Sequence, residues 1–245
     1  MAKPKVALYW AASCGGCDVA VLDTNEKILD IANVADIVFW PIAIDFKYHH
    51  VEAMEDRSID LCLFNGAIRN SEQERIARLL RAKSKIMVAF GACACFGGIP
   101  ALGNFTNRAE IFERAYVEAP SNANTDRTFP QTLTRVKEGE LELPEFLDDV
   151  STLAQVVDVE YFVPGCPPPV DIILKVVDLF ATGHLPPVGS VIASDKTLCD
   201  ECDRIKEDKK ITRFYRPHEI TPDPKRCLLE QGIICCGPVL EVVAA

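Results

Sequence analysis

The sequence predicts an α/β protein, a doubly wound parallel sheet followed by a small irregular C-terminal domain. Short apolar, strand-like runs alternate with amphipathic helical stretches over the first three quarters of the chain, which is the rhythm of βαβ units. Three of those runs lead straight into glycine- or proline-rich loops that carry cysteine. Beyond Pro186-Pro187 the segments become short and charge-rich, and five of the eleven cysteines fall between residues 199 and 245. The expected domains are therefore 1–185 and 186–245.

Lys5 to Trp10 is the first strand, followed by the turn Ser13-Cys14-Gly15-Gly16-Cys17 and a helix to about Ala32. Asp36 to Ile44 is the second strand and Ile59 to Ile68 the third. Cys62 lies inside the third between Leu61 and Leu63, where an inert core thiol is expected. Ser71-x-x-Glu74 has the form of a capping box, opening a helix with Ile76, Leu79 and Leu80 on one face. Lys85 to Phe90 is the fourth strand and runs into Gly91-Ala92-Cys93-Ala94-Cys95-Phe96-Gly97-Gly98.

Pro100 to Ala154 breaks this rhythm with repeated Asn and Pro. Loops of that length are usually functional or disordered, and a surface that docks another chain is the expectation. Within it the acidic stretch Glu138 to Asp149 is expected to be partly helical. Val156 to Val163 is the fifth strand and enters Pro164-Gly165-Cys166-Pro167-Pro168-Pro169. Val170 to Thr182 follows as a helix begun by proline and ended by Gly183.

A formal net charge of −10 argues against nucleic acid or an anionic membrane as partner. No stretch approaches the roughly 20 apolar residues needed to span a bilayer. Met1 to Lys5 runs into a strand with no signal peptide or twin-arginine segment, so a cytoplasmic location is expected. In that compartment eleven cysteines point to metal ligation rather than disulfides.

In a parallel sheet the carboxyl ends of the strands share one edge, where ligands bind. Loops bearing Cys14, Cys17, Cys93 and Cys166 would meet there. Cys95 competes with Cys93, but two residues apart both are not expected to reach one ion. A second set, Cys199, Cys202, Cys227 and one of Cys235 and Cys236, would staple a segment too short and polar to build a core. Zinc and iron–sulfur both accept four thiolates, and spacing leaves the two comparable in the second set. A flavin phosphate, as in flavodoxin-like sheets, fits the first loop less well, because that loop offers one hydroxyl and two thiols. His49, His50, His184 and His218 are assigned no metal.

These motifs in combination resemble the small, electron-transfer subunit of cytosolic nickel–iron hydrogenases, the methyl-viologen-reducing type found with heterodisulfide reductase. The resemblance rests on Ser13-Cys14-Gly15-Gly16-Cys17, on Gly91-Ala92-Cys93-Ala94-x-x-Gly97-Gly98, on Pro164-Gly165-Cys166-Pro167-Pro168 and on the tail from Cys227 to Gly237-Pro238. It covers nearly the whole chain and is weakest over Pro100 to Ala154. It implies a flavodoxin-like domain followed by a small iron–sulfur domain. Cys14, Cys17, Cys93 and Cys166 would hold a proximal 4Fe–4S cluster facing a nickel–iron centre in a separate large subunit. Cys199, Cys202, Cys227 and Cys235 would hold a second 4Fe–4S cluster, with Cys199 where periplasmic relatives use histidine.

The implied role is an electron relay to an iron–sulfur or flavin subunit, heterodisulfide reductase among the candidates. Two departures accompany it. Val19 stands where many relatives carry a glutamate, so no proton route carries over. No cysteine follows Gly237-Pro238, where relatives supply a third cluster, so the expectation is a truncated or divergent tail. The competing readings are a connecting subunit of the respiratory complex I type and a zinc-stabilised scaffold.

Overall fold

The computed structural model describes residues 3–193, 197–207 and 210–237. They divide into two compact units, Met1–Ile192 and Ala193–Ala245. The expected boundary at 185/186 thus falls seven residues early. Residues 186–192 run along the edge of the sheet: Gly189 N–H donates to Glu160 O at 2.7 Å, and Ile192 N–H to Phe162 O at 2.7 Å.

In chain order the first unit comprises β1 (Lys5–Trp10), α1 (Gly16–Leu22), α2 (Lys27–Val34), β2 (Asp36–Phe39), α3 (Tyr48–Glu52) and β3 (Ile59–Asn65). There follow β4 (Ile68–Asn70), α4 (Ser71–Lys83), β5 (Ser84–Phe90), α5 (Ala92–Phe96), a 3-10 turn (Pro100–Phe105) and α6 (Arg108–Tyr116). The remainder is β6 (Leu133–Val136), β7 (Gly139–Glu142), β8 (Phe146–Ser151), α7 (Leu153–Val156), β9 (Tyr161–Val163) and α8 (Val170–Thr182). The central sheet has the order β2-β1-β3-β5-β9 and all its pairs are parallel. Numbered within the sheet that is 2-1-3-4-5, the flavodoxin-like doubly wound order.

The period-two alternation of each strand divides the core into two layers. Tyr9, Cys62, Phe64, Met87 and Ala89 point to one face, where Ile76 and Leu80 of α4 cover them. Leu8, Leu61, Leu63, Val88 and Phe90 point to the other, against Val21 of α1 and Ile173 and Val176 of α8. Phe39, Phe64 and Phe90 are essentially inaccessible, and each such side chain contributes about 1.5–3 kcal/mol by leaving water. Cys62 is fully buried in this core, and burial pushes its thiol up to about 12.

Several elements differ from the sequence reading, each for a local reason. The first helix breaks after Leu22, where Thr24 Oγ1 donates to Val21 O at 2.7 Å and Asn25 turns left-handed at φ 52°. The second strand stops at Phe39, because Pro41 has no N–H for a ladder and Ala43 and Ile44 both fold back onto Trp40 O. The cap of α4 is one residue earlier than expected. Asn70 Oδ1 accepts from Gln73 N–H at 2.9 Å, and Gln73 Oε1 accepts from Asn70 N–H at 3.2 Å. The fifth strand is short because Thr152 caps a helical turn there, its N–H donating to Gln155 Oε1 at 2.7 Å.

The stretch expected to be partly helical is instead extended. β6 and β7 form an antiparallel hairpin with Val136 opposite Gly139, and β8 pairs antiparallel with β4. The alternation Glu140-Leu141-Glu142-Leu143 is the period-two signal that marks it.

No helix or strand is formed by the described residues of the second unit, and no apolar side chain there is buried. Short backbone links hold it, among them Cys227 N–H to Ile205 O at 2.8 Å and Tyr215 N–H to Gly232 O at 2.8 Å. Among the described residues no helix is long and apolar enough to cross a membrane.

Candidate metal centres

The three cysteine loops of the first unit emerge from the carboxyl ends of β1, β5 and β9, which lie on one edge of the parallel sheet. They are tied to one another through the backbone. Gly91 N–H donates to Val163 O and Ala92 N–H to Gly165 O, both at 2.7 Å, joining the loops of Cys93 and Cys166. Ala12 and Ala67 exchange two bonds at 2.9 Å, anchoring the loop of Cys14 to the end of β3.

Cys14, Cys17, Cys93 and Cys166 are brought together here. Burial first, then the proximity of Cys93, Asp18, Cys14 and Cys166, pushes the Cys17 thiol up to about 12. Cys93 is raised by burial and by Cys166 and Cys14, while a backbone N–H of Ile99 on its sulfur opposes the rise. Cys17 and Cys93 are buried, whereas Cys14 and Cys166 are exposed, so the site opens outward. Glycine makes the approach possible. At Gly91, φ +88°, a Cβ would stand 2.3 Å from Cys17 Sγ, and at Gly98, φ +54°, 2.7 Å from Cys93 Sγ. Cys95 is turned away: its Sγ donates to Ala89 O at 3.3 Å inside the sheet core.

A buried polar group that the sequence reading did not single out adjoins this site. Asp18, next to Cys17 on α1, is 2% exposed and accepts from Trp40 Nε1 at 2.8 Å and from Asn65 Nδ2 at 2.5 Å. A carboxylate inside an otherwise apolar helix face was the available signal.

In the second unit Cys199, Cys202, Cys227 and Cys235 line one cavity of about 690 Å³, and Cys236 does not line it. Gly237 closes one side, where a Cβ would lie 3.3 Å from Cys199 Sγ and 3.4 Å from Cys235 Sγ. Lys206 Nζ donates to the carbonyls of Cys199 and Cys202 at 2.8 and 3.0 Å, shaping the turn between them. Hydrogen bonds from Arg204, backbone and side chain, hold the Cys202 thiol below its ordinary range.

Among the described residues, no three Cys, His, Asp or Glu side chains stand close enough to share a single metal ion. A separate apolar cavity of about 330 Å³, lined by residues such as Leu8, Ile31 and Val176, contains no cysteine.

Comparison with known proteins places the chain in a family. Residues 14–180 match the family of the NADH ubiquinone oxidoreductase 20 kDa subunit. The iron–sulfur subunit of an F420-non-reducing hydrogenase from Archaeoglobus profundus is 46% identical over 243 residues, 97% of this chain and 76% of that one. A vhu-type F420-non-reducing hydrogenase subunit from Methanocaldococcus jannaschii is 36% identical, over 95% of this chain and 73% of that one. A chain of an NAD+-reducing nickel–iron hydrogenase in the H2-reduced state superimposes with a TM-score of 0.64 at 27% identity, covering 76% of this chain and 96% of that one. The chain belongs to the family of the 20 kDa subunit of NADH ubiquinone oxidoreductase, alongside these subunits of F420-non-reducing hydrogenases.

Proposed function

We propose that this chain is the iron–sulfur electron-relay subunit of a nickel–iron hydrogenase. In this reading Cys14, Cys17, Cys93 and Cys166 hold a proximal 4Fe–4S cluster, and Cys199, Cys202, Cys227 and Cys235 hold a second. The observation that carries the reading is the convergence of four thiols from three loops on one sheet edge, with Gly91 and Gly98 making room for the sulfurs. A 4Fe–4S cluster supplies one-electron storage at a potential set by its surroundings.

The chain's own residues do the rest. Cys17 and Cys93 are buried, where an uncompensated thiolate is costly, so these ligands favour a positively charged metal core as partner. The backbone bonds between the loops fix the ligand positions before the group arrives. The segment that follows Cys93 carries Phe96, Ile99, Leu102 and Phe105, at 64%, 71%, 59% and 89% exposure. Four large apolar side chains exposed within ten residues suit a protein–protein surface, and the partner we assign is the nickel-bearing large subunit. Splitting or forming dihydrogen then belongs to that partner, and this chain moves electrons. The electrons pass on to an iron–sulfur or flavin subunit, heterodisulfide reductase among the candidates, in the cytoplasm.

The second unit supports the same reading, since without a buried apolar side chain among its described residues it needs a bound group to hold its fold. A zinc scaffold is the alternative reading, since zinc also accepts four thiolates. Anaerobic purification with the hydrogenase partner tests the proposal. A brown complex whose visible absorption bleaches under dihydrogen is expected; a colourless chain with stoichiometric zinc would overturn it.

A further inference from the structure

We propose that the apolar cavity between α2, α8 and the central sheet binds a single-chain amphiphile of about a dozen carbons, with its anionic head held by Lys85 at the mouth. The site opens at the sheet edge opposite the cysteine loops and does not depend on what those loops hold.

The cavity measures about 330 Å³ and lies within the first unit. Leu8, Leu61 and Leu63 form its floor on one face of the sheet, and Ile28 and Ile31 of α2 with Val176 of α8 form its roof. The space exists because α2 does not close onto the sheet. No residue of that helix is buried, and Leu29 is 64% exposed. On the sheet, Val6 and Ile86 stay only partly buried, although β1 and β5 each have a neighbouring strand on both sides. An empty apolar space is destabilising in proportion to its volume. A cavity of about 150 Å³ already takes up benzene, and by that measure this one accommodates about a dozen carbons.

The two ends of the cavity differ. Trp40 and Phe90, at the carboxyl ends of β2 and β5, line one end and are both buried. Pro4, Asp60 and Lys85 line the other, where the parallel strands begin. Among the described lining residues only Asp60 and Lys85 are charged, and Lys85 is exposed, so this end is the mouth. Asp60 is already occupied: it accepts from Lys5 N–H at 2.7 Å and from Lys85 Nζ at 2.6 Å. An ammonium group has three donors, and Asp60 is the one acceptor that Lys85 Nζ meets among the described residues. Two donors therefore face outward for a second anion. Lys3, Lys5 and Lys85 also outnumber Asp36 and Asp60 along this edge. A carboxylate head suits that mouth as an apolar chain suits the interior. Space left by loose packing alone would instead take neutral and anionic chains alike.

The test is equilibrium dialysis of radiolabelled fatty acids against the intact complex, below their micelle-forming concentrations. Binding should be saturable and tighten about fourfold per methylene from octanoate to dodecanoate, with no further gain at hexadecanoate. Lys85→Gln should weaken dodecanoate about tenfold and leave dodecanol unchanged. Ile31→Trp and Val177→Phe, which fill the cavity from either helix, should abolish the site. Absence of saturable binding, or binding that both folded filling variants retain, would overturn the proposal. The length series decides without any variant, because a gain that continues through hexadecanoate contradicts an enclosed cavity. Dodecanoate binding unchanged by Lys85→Gln would overturn the anionic class. Binding by the separated chain that the complex lacks would also overturn the proposal, by showing that another subunit covers the space.

Discussion

Gly91 and Cys17, far apart in sequence, are packed so closely that a Cβ on the glycine would lie 2.3 Å from the cysteine sulfur. The glycine also holds φ +88° and donates its N–H to Val163 O at 2.7 Å. Substituting Gly91→Ala therefore imposes left-handed strain of about 1–3 kcal/mol and drives the sulfur out of place. Iron content should fall by about half, from about eight to about four per chain, with the second cluster retained. Full iron content in the variant would show that Cys17 is not a ligand.

Cys93 and Cys95 separate on structural grounds. Cys93 belongs to the converging four, whereas Cys95 donates to Ala89 O at 3.3 Å within the core. Cys93→Ser should lose proximal iron and dihydrogen-dependent electron transfer, because oxygen is a poorer partner than thiolate for these clusters. Cys95→Ser keeps a donor for Ala89 O and should cost about 1–2 kcal/mol of stability with iron intact. Equal iron loss in both would show that the two share the site.

The same contrast applies to the adjacent pair in the second unit. Cys235 lines the cavity and accepts from Gly237 N–H at 3.4 Å, while Cys236 is exposed outside it. Cys235→Ser should abolish the second cluster and expose the unit to proteolysis; Cys236→Ser should leave both unchanged. Limited digestion with iron analysis distinguishes them, and equal protease sensitivity would contradict the assignment.

Thiol reactivity of the metal-free chain should follow the surroundings of each sulfur. Burial raises Cys17 to about 12, so at pH 8 about one in ten thousand of its thiols is ionised, rising about tenfold per pH unit. Arg204 lowers Cys202, which should react with iodoacetamide first near neutral pH. In urea the difference should vanish. A Cys17 that labels as fast as Cys202 without denaturant would refute the buried geometry.

Much of this is legible in the sequence, because the chemistry is carried by cysteines that follow apolar runs. A strand pattern fixes the face and the edge, so Cys14, Cys17, Cys93 and Cys166 can be placed together from their positions in the chain. The remainder depends on contacts between distant residues. Pro41 and Thr24 cut elements short through local hydrogen bonding, and Asn70 rather than Ser71 takes the cap because Ser71 Oγ accepts from Glu145 N–H at 2.9 Å. In the hairpin of β6 and β7 a dense acidic charge masks the alternation that marks strands. Asp18 is hard to single out because its partners, Trp40 and Asn65, lie 22 and 47 residues away.

The most direct measurement is iron and acid-labile sulfide per chain in the anaerobically purified small subunit, separated from its partners, together with its Mössbauer spectra. Two 4Fe–4S clusters predict about eight irons and about eight sulfides for these 245 residues, with no zinc. Stoichiometric zinc without sulfide, or about four irons after a full anaerobic preparation, would contradict the account.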